Sequence, residues 1–289
     1  MTTLATPDQR RRTRLTPRLD FSKWLPGACL AFLMLILVLT IFGPLIAPYD
    51  PSAQDLGLGL TTPSSSHWLG TDQLGRDVLS QLIVGTQSAV VGPLVIALGS
   101  MLIGNVLGLI AGYRGGWVDS VVMRWADLMF SLPTLLVIVV VAGAFDGGYW
   151  LSVVLLVILS APFDARVIRG ATLEQVPRPY VEAAKSVGLS DTKIMLTHVW
   201  PNVSPAAVAN TCLHFAGALV SLSGLSFLGL GVSPGTPNWG LMVSAGRSLL
   251  FLNPVAVLAP AIMIVLTATA MNLFGDWVFE RLSARGAMR

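Results

Sequence analysis

The longest stretches of this sequence without a charged residue are longer than a soluble core needs. No Asp, Glu, Lys or Arg occurs between Lys193 and Arg247, and the segment between Lys23 and Asp50 is also free of charge. A helix needs about 20 mostly apolar residues to cross a membrane. The apolar runs predict an all-α, polytopic membrane protein with about six transmembrane helices, near residues 24–49, 89–112, 121–144, 149–162, 206–231 and 254–274. All but the third are free of charge, and the third is entered through Arg124 and Asp127.

The composition excludes several classes of protein. Hydrophobic residues make up 54% of the chain and charged residues 11%, whereas soluble domains average about 25% charged residues. A chain of this kind cannot cover a globule with enough polar surface to be a soluble enzyme, and it is too apolar for a disordered regulator. Its 18 Lys and Arg residues form no basic stripe with interleaved aromatic residues, so nucleic acid is not an expected partner.

The distribution of basic residues predicts the orientation in the membrane, since Lys and Arg concentrate in cytoplasmic loops. Sixteen of the 18 basic residues lie in the two tails, in the connections that follow the second and fourth predicted spans and at the entry to the third span. Only Arg76 and Arg247 lie in connections on the opposite side of the membrane. Both termini are therefore predicted to be cytoplasmic. The first apolar run is too long for a signal peptide and no A-x-A cleavage site follows it, which favours a retained anchor.

This topology divides the chain into five parts. We expect a basic cytoplasmic tail, a first span, an external loop, a core with five spans and a short cytoplasmic tail, at residues 1–23, 24–49, 50–86, 87–280 and 281–289. A long cytoplasmic loop, 166–205, interrupts the core.

The pattern of the cytoplasmic loop predicts two short helices separated by a glycine. Pro179 suits the first turn of a helix, and Gly188 is typical of the residue that ends one. Residues 192–200 fit a second short helix that Pro201 would end. One face of the first helix is predicted to collect Tyr180, Ala183, Ala184 and Val187. This pattern is compatible with a linker on the membrane surface and with a docking surface for another protein.

Short motifs stand out in the segments that connect the spans. The cytoplasmic loop contains Glu182, Ala183, Ala184, Gly188, Ile194, Pro201 and Asn202. The external loop contains His67, Gly70, Thr71, Asp72, Gly75, Arg76 and Asp77. A later external segment contains Pro237, Trp239 and Gly240. In their order along the chain, with the external loop first and the cytoplasmic loop second, the motifs resemble those of ABC importer permeases for dipeptides, oligopeptides and nickel, the DppC/OppC type, and the cytoplasmic set is similar to their EAA signature.

The resemblance implies a bacterial plasma-membrane permease with defined partners. The EAA residues would form a coupling helix that docks in a groove of an ATP-binding cassette ATPase subunit, and the importer would contain two such subunits. A second, homologous permease would complete the pathway as a heterodimer, and an extracytoplasmic binding protein would deliver the solute. The resemblance leaves the solute open among dipeptides, oligopeptides, nickel chelates and other small solutes.

The chain contains no nucleotide-binding motif of its own. Its three lysines, at positions 23, 185 and 193, do not follow a glycine, so no G-x-x-x-x-G-K-[ST] run exists. ATP and Mg²⁺ are therefore expected on partner subunits, and no cofactor or metal is expected in this chain. We predict alternating access driven by the ATPases, with no catalytic residue in the permease.

Two other functions are possible for a membrane protein of this composition. An ion-coupled secondary transporter would need carboxylates near the middle of the membrane, and Asp127 and Asp164 are expected at the membrane interface instead. An intramembrane hydrolase could use Ser221 and His214, but seven residues separate them by about 10 Å along a helix. His214 is therefore expected to bind either a neighbouring helix or the solute.

Two features bear on helix packing. Gly104, Gly108 and Gly112 form overlapping G-x-x-x-G repeats, which allow close approach of another helix. Pro133 lies near the middle of the third predicted span, where it would kink the helix.

Overall fold

The computed structural model describes residues 21–145, 148–233 and 235–286. The described residues form helices and loops, and their only β-type pairing is an isolated bridge between Thr71 and Asp77. The ten α-helices are α1 Phe21–Ile46, α2 Val78–Arg114, α3 Gly116–Ser131, α4 Thr134–Phe145, α5 Gly148–Gln175, α6 Pro179–Ser186, α7 Asp191–Ile194, α8 Trp200–Phe227, α9 Trp239–Gly246 and α10 Val255–Gly286. A π-helical turn, Met195–Val199, joins α7 to α8, and a 3₁₀ turn, Arg247–Leu249, follows α9.

The prediction of about six membrane spans is confirmed by helix length and hydropathy. Five segments are long and apolar enough to cross a membrane: α1, α2, α5, the continuous α7–α8 segment and α10. The pair α3 and α4 passes the same test jointly, with a bend of 77° between its members. The bend lies at Leu132 and Pro133, as predicted, because Pro133 disfavours a helical conformation of the preceding residue and Leu132 is extended.

Helix α2 lies at the centre of the bundle, and its most extensive contact is with α5. Glycines of α2 make this contact close: a Cβ atom at Gly108 would overlap the backbone oxygen of Ala165, and one at Gly112 would lie 2.7 Å from the Thr172 Cβ atom. The predicted G-x-x-x-G contact therefore exists, and it joins α2 to α5. Helix α8 packs against α2, α5 and α10.

Several spans are longer than the charge-free runs suggested. Helix α5 continues to Gln175, 13 residues beyond the predicted end at Pro162. Charged residues do not end it, because they find partners outside the helix: Arg169 forms an ion pair with Asp119 of α3, and Arg166 pairs with Asp127 at 2.6 Å. Likewise, α2 begins at Val78, so its first turns lie inside the segment 50–86 that was predicted as a loop.

Candidate functional site

Helix α6 lies at one end of the bundle, which we call the α6 end. Pro179 occupies its first turn, where the missing N–H needs no partner. After the helix, Gly188 adopts φ +81°, a left-handed conformation that favours glycine. The Gly188 N–H donates to the Lys185 oxygen at 2.9 Å, and the Leu189 N–H donates to the Ala184 oxygen at 3.2 Å. These bonds end the helix where the sequence predicted.

The two sides of α6 have different surroundings. Val181 and Ala184 are buried, in a cluster with Leu109 of α2 and Ile168 of α5. Of the predicted face, Ala183 and Val187 are exposed, and Val187 is 81% exposed. The four residues of the predicted face are therefore divided: Tyr180 and Ala184 pack on the cluster beside Val181, while Ala183 and Val187 face outward. Glu182, Ala183 and Val187 therefore form an exposed patch on α6.

The second short helix of the loop does not end at Pro201. It continues from α7 through the π-helical turn into α8. In this turn the Trp200 N–H donates to the Met195 oxygen, five residues back. Pro201 follows directly, in the first turn of α8, where a missing N–H is tolerated. The predicted helix end was therefore wrong, and the loop is rigidly joined to a membrane span.

Polar contacts attach this region to the bundle. The Tyr113 hydroxyl of α2 donates to Asp191 Oδ1 at 2.9 Å, and the Lys185 ammonium lies 5.4 Å from the centre of the Tyr113 ring. Asn202 Nδ2 donates to the Tyr180 hydroxyl at 3.3 Å, and burial raises the pKa of the Tyr180 phenol. The predicted residue Ile194 is fully buried. The region can therefore transmit a displacement of α6 to α2 and α8.

The predicted external motif lies at the opposite end, between α1 and α2. Asp77 caps α2: its Oδ2 atom accepts from the Ser80 N–H and the Ser80 hydroxyl, both at 2.7 Å. Its Oδ1 atom lies 3.0 Å from His67 Nδ1. These bonds fasten the loop to the start of the span.

Asp72 organises the tight turn that precedes Asp77. It accepts from the Arg76 Nε–H at 2.7 Å and from the Gln81 side chain at 3.1 Å. Thr71 is buried, and its hydroxyl donates to the Gly59 oxygen at 2.7 Å. Gly70 and Gly75 both have φ above +70° and are pressed against neighbouring backbone. The motif therefore fixes the shape of a loop, and it contains no arrangement typical of catalysis.

The later motif anchors α9 against α2 and α8. Trp239 is fully buried, and its Nε1–H donates to the Leu82 oxygen at 2.9 Å. Gly240 lies directly against the backbone of Ser223. The Pro237 oxygen accepts from the Ser88 hydroxyl at 3.2 Å. These residues belong to the same end of the molecule as the Asp72 turn.

The structural roles of two asparagines at this end were not predicted. Asn238 caps α9 by accepting from the Leu241 N–H at 3.2 Å, a role that an asparagine before a helix could have indicated. Asn253 Nδ2 donates to the oxygens of Thr61 and Leu69, at 3.3 and 3.2 Å. No local pattern signals Asn253, because its partners lie more than 180 residues away.

A polar cluster in the middle of the bundle overturns one expectation. Asp164 was expected at the membrane interface, but it is 1% exposed, because α5 continues well past it. Its Oδ1 atom accepts from Asn210 and lies 3.3 Å from His214 Nε2, both on α8. His214 thus binds a neighbouring helix, one of the two expected roles. No serine hydroxyl bonds to His214 among residues 24–145, 148–233 and 235–282, which gives the hydrolase hypothesis no support.

No group of three or more His, Cys, Asp or Glu residues that could hold a metal ion occurs in the part of the chain that the structure describes. The two ends of the bundle present an exposed patch on α6 at one end, and a fastened loop with α9 at the other.

Comparison with known families defines the class of protein to which this architecture belongs. Residues 104–285 match the family described as the binding-protein-dependent transport system inner membrane component. The chain belongs to this family, and it is an inner-membrane permease component of a transport system. Residues 24–63 match a second model, the N-terminal transmembrane domain of oligopeptide transport permease C.

Individual relatives match over most of their length. The glutathione transport system permease protein GsiD of Pectobacterium atrosepticum is 34% identical over 255 residues, 88% of this chain and 85% of that protein. The probable D,D-dipeptide transport system permease protein DdpC of Escherichia coli K12 is 34% identical over 253 residues, with the same coverage of each chain. GsiD of Escherichia coli O157:H7 is 37% identical over 259 residues, 88% of this chain and 84% of that protein.

A solved structure has the same fold. The MetNI methionine ABC transporter, in an inward-facing conformation, matches with a TM-score of 0.56 at 18% identity. The match covers 70% of this chain and 96% of that chain.

Proposed function

We propose that this permease imports short peptides, driven by ATP hydrolysis in separate subunits that dock on the exposed patch of α6. The observation that carries the proposal is the placement of that patch: Glu182, Ala183 and Val187 face outward on a helix held against the bundle, in a member of a transport permease family. ATP and Mg²⁺ are bound by the partner subunits, and this chain supplies no catalytic residue, metal ligand or cofactor site.

The names of the relatives support the substrate class. The relatives at 34–37% identity are permeases of glutathione and D,D-dipeptide transport systems. Both solutes are short peptides. A short peptide is therefore the proposed cargo, in preference to a nickel chelate.

In this proposal, the residues of the cytoplasmic signature have two different tasks. Glu182 and Ala183 contact the ATPase, and Gly188 sets the angle at which the chain leaves α6. Ala184 and Ile194 are buried and position the helix. Pro201 and Asn202 lie where the loop becomes α8, so closure of the ATPases would displace α6 and tilt the attached span. Differential binding of two conformations provides the coupling.

The α6 end is assigned to the cytoplasm, together with both termini, because the basic residues concentrate there. The 47–77 loop and α9 then face outward. Their rigid fastening, through residues such as Asp77 and Trp239, suits a platform for an extracytoplasmic binding protein. A second, homologous permease completes the translocation pathway, and two ATPases serve the pair.

Reconstitution in proteoliposomes tests the function. The complete importer is expected to accumulate labelled dialanine only when ATP is supplied on the α6 side and the binding protein is present. The permease alone, under a proton or sodium gradient, is expected to take up none. Gradient-driven uptake without the ATPases would contradict the proposal and favour the alternative, an ion-coupled secondary transporter.

Charge reversal at Glu182 tests the docking surface. Glu182→Lys is expected to weaken co-purification with the ATPase at least about tenfold, the effect of ~1.4 kcal/mol at an interface. Because Glu182 is exposed, the fold should be retained. Glu174→Lys, an exposed residue of α5 outside the patch, is the matched control and should co-purify normally. Normal co-purification of Glu182→Lys would contradict docking at this position.

A further inference from the structure

A cavity with a mixed polar and apolar lining lies between α5 and α8. Its volume is about 330 Å³. The polar part of the lining consists of Ser160, Asn210, His214 and Ser221. The remaining lining residues, among them Leu156 and Phe163, are apolar or glycine. None of these residues belongs to the motifs at either end of the bundle.

A buried carboxylate stands behind this lining. Asp164 is 1% exposed, and its Oδ1 atom is contacted by two lining residues, Asn210 and His214. Its Oδ2 atom is buried and accepts no hydrogen bond of good geometry among the described residues, although the Ser100 side chain of α2 lies close to this carboxylate and donates to the Ala97 oxygen at 3.3 Å. A buried carboxylate oxygen without a well-formed hydrogen bond is costly, so this oxygen has acceptor capacity left for another donor.

The lining has unused capacity to accept hydrogen bonds. The hydroxyls of Ser160 and Ser221 make no hydrogen bond with the described part of the chain, although helical serines commonly bond to a backbone oxygen one turn back. His214 uses Nε2 toward the carboxylate. In the neutral tautomer that carries its proton on Nε2, the Nδ1 atom is an acceptor.

The polar residues that line the cavity lie too deep in the bundle to face lipid favourably. Ser160 lies 12 residues after the start of α5, and His214 lies 13 residues before the end of α8. Both are therefore about 18–20 Å from the end of the bundle opposite α6. Such a position is near the middle of a hydrocarbon core about 30 Å thick. Polar groups at this depth are stable where they line a water-filled path or contact protein.

The electrostatic field of the cluster favours a cation. The two arginines nearest in sequence to Asp164 are engaged elsewhere, Arg166 with Asp127 and Arg169 with Asp119. His214 is the only basic side chain within ion-pair distance of Asp164 in the described ranges. An acidic group in a low-dielectric cleft raises the local concentration of cations.

We propose that this cavity is a contact site for the solute during translocation, and that it binds the protonated amino group of a peptide. Asp164 supplies the charge, while His214 Nδ1 and the hydroxyls of Ser160 and Ser221 accept hydrogen bonds from the ammonium group. The proposal rests on the proposed function and deepens it, because it adds a place within the permease where the amino end of the cargo is recognised.

Cysteine labelling of the assembled importer tests the site without requiring transport. Ser221→Cys is introduced with Cys29 and Cys212 replaced by alanine. Its labelling by a cationic methanethiosulfonate reagent is expected to be at least about tenfold faster than by an anionic one. Dialanine should slow the labelling and N-acetyl-dialanine should not. Asp164→Asn in the same chain should remove the preference for the cationic reagent.

The controls distinguish the possible failures. Thr269→Cys lies on an exposed face of the membrane span α10, where lipid would surround it, so it should resist both charged reagents. Three results for Ser221→Cys would each overturn the proposal: labelling as slow as that of Thr269→Cys, equal labelling by both reagents, or protection by N-acetyl-dialanine. Protection by sodium chloride but not by choline chloride would also overturn it, since it would indicate a metal cation. Protection by dialanine in an importer that fails to hydrolyse ATP or accumulate peptide would retain this site and contradict the proposed function instead.

Discussion

Replacing Gly188 with valine is expected to abolish the stimulation of ATP hydrolysis by solute while the permease still inserts and folds. No atom lies within 4 Å of a Cβ atom built at this position, so the effect does not come from a clash. It comes from the backbone, since φ is +81° and a β-branched residue in the left-handed region costs about 1–3 kcal/mol. Relieving that strain turns the chain away from its present exit, breaking the bond from the Leu189 N–H to the Ala184 oxygen.

The measurement is the ATPase activity of the reconstituted importer, with and without loaded binding protein. Gly188→Asn is the first control, because asparagine tolerates the left-handed conformation and should retain most of the stimulation. Gly170→Val is the second, since Gly170 also has open space around it but lies within helix α5. Full stimulation in Gly188→Val would show that the exit angle from α6 is irrelevant to coupling.

Replacing Gly108 with leucine is expected to lower the stability of the permease more than replacing Gly188 with valine does. A Cβ atom at this position would overlap the Ala165 oxygen and lie 2.9 Å from the Ile168 Cβ atom. Because backbone atoms of α5 cannot rotate away, the two helices must separate. Overpacking of this kind typically costs 1–3 kcal/mol, and we expect at least about 3 kcal/mol here since the α2–α5 contact is the most extensive in the bundle.

Thermal unfolding of the purified permease, together with its yield as a monodisperse species, measures the loss. Gly143→Leu is the matched control, because a Cβ atom there meets nothing within 4 Å. Gly143→Leu should unfold near the temperature of the unmodified protein, and Gly108→Leu well below it. Equal unfolding temperatures for the two variants would mean that α2 and α5 can separate without cost.

The sequence was a good guide to features that depend on neighbouring residues along the chain. The helix break at Pro133 and the helix end at Gly188 both occur where they were predicted, since proline and a left-handed glycine act on the local backbone. The sequence was a poor guide at Pro201. A π-helical turn precedes Pro201 and lets the helix continue although the proline has no N–H to donate. Nothing in the local pattern distinguishes this outcome from a helix end.

The placement of side chains on helix faces was also poorly predicted. Periodicity identifies a buried face only when the other face is polar, and membrane helices such as α5 are apolar around most of their circumference. Asp164 therefore gave no sign, in sequence, that it would be buried against Asn210 and His214 of a helix about 50 residues away. On α6, the small residues that drew attention in the motif turned out to lie largely outside the core.

What the sequence determined by itself was the membrane class, the approximate number of spans and the family, because charge-free runs and local motifs are properties of the chain alone. What only the tertiary structure decided was which residues meet. The close contact of α2 with α5, the long-range bonds of Asn253 and the cavity beside His214 all depend on helices brought together from distant parts of the chain. Packing at those contacts is decided by the shape of both partners, and one partner's sequence pattern does not contain it.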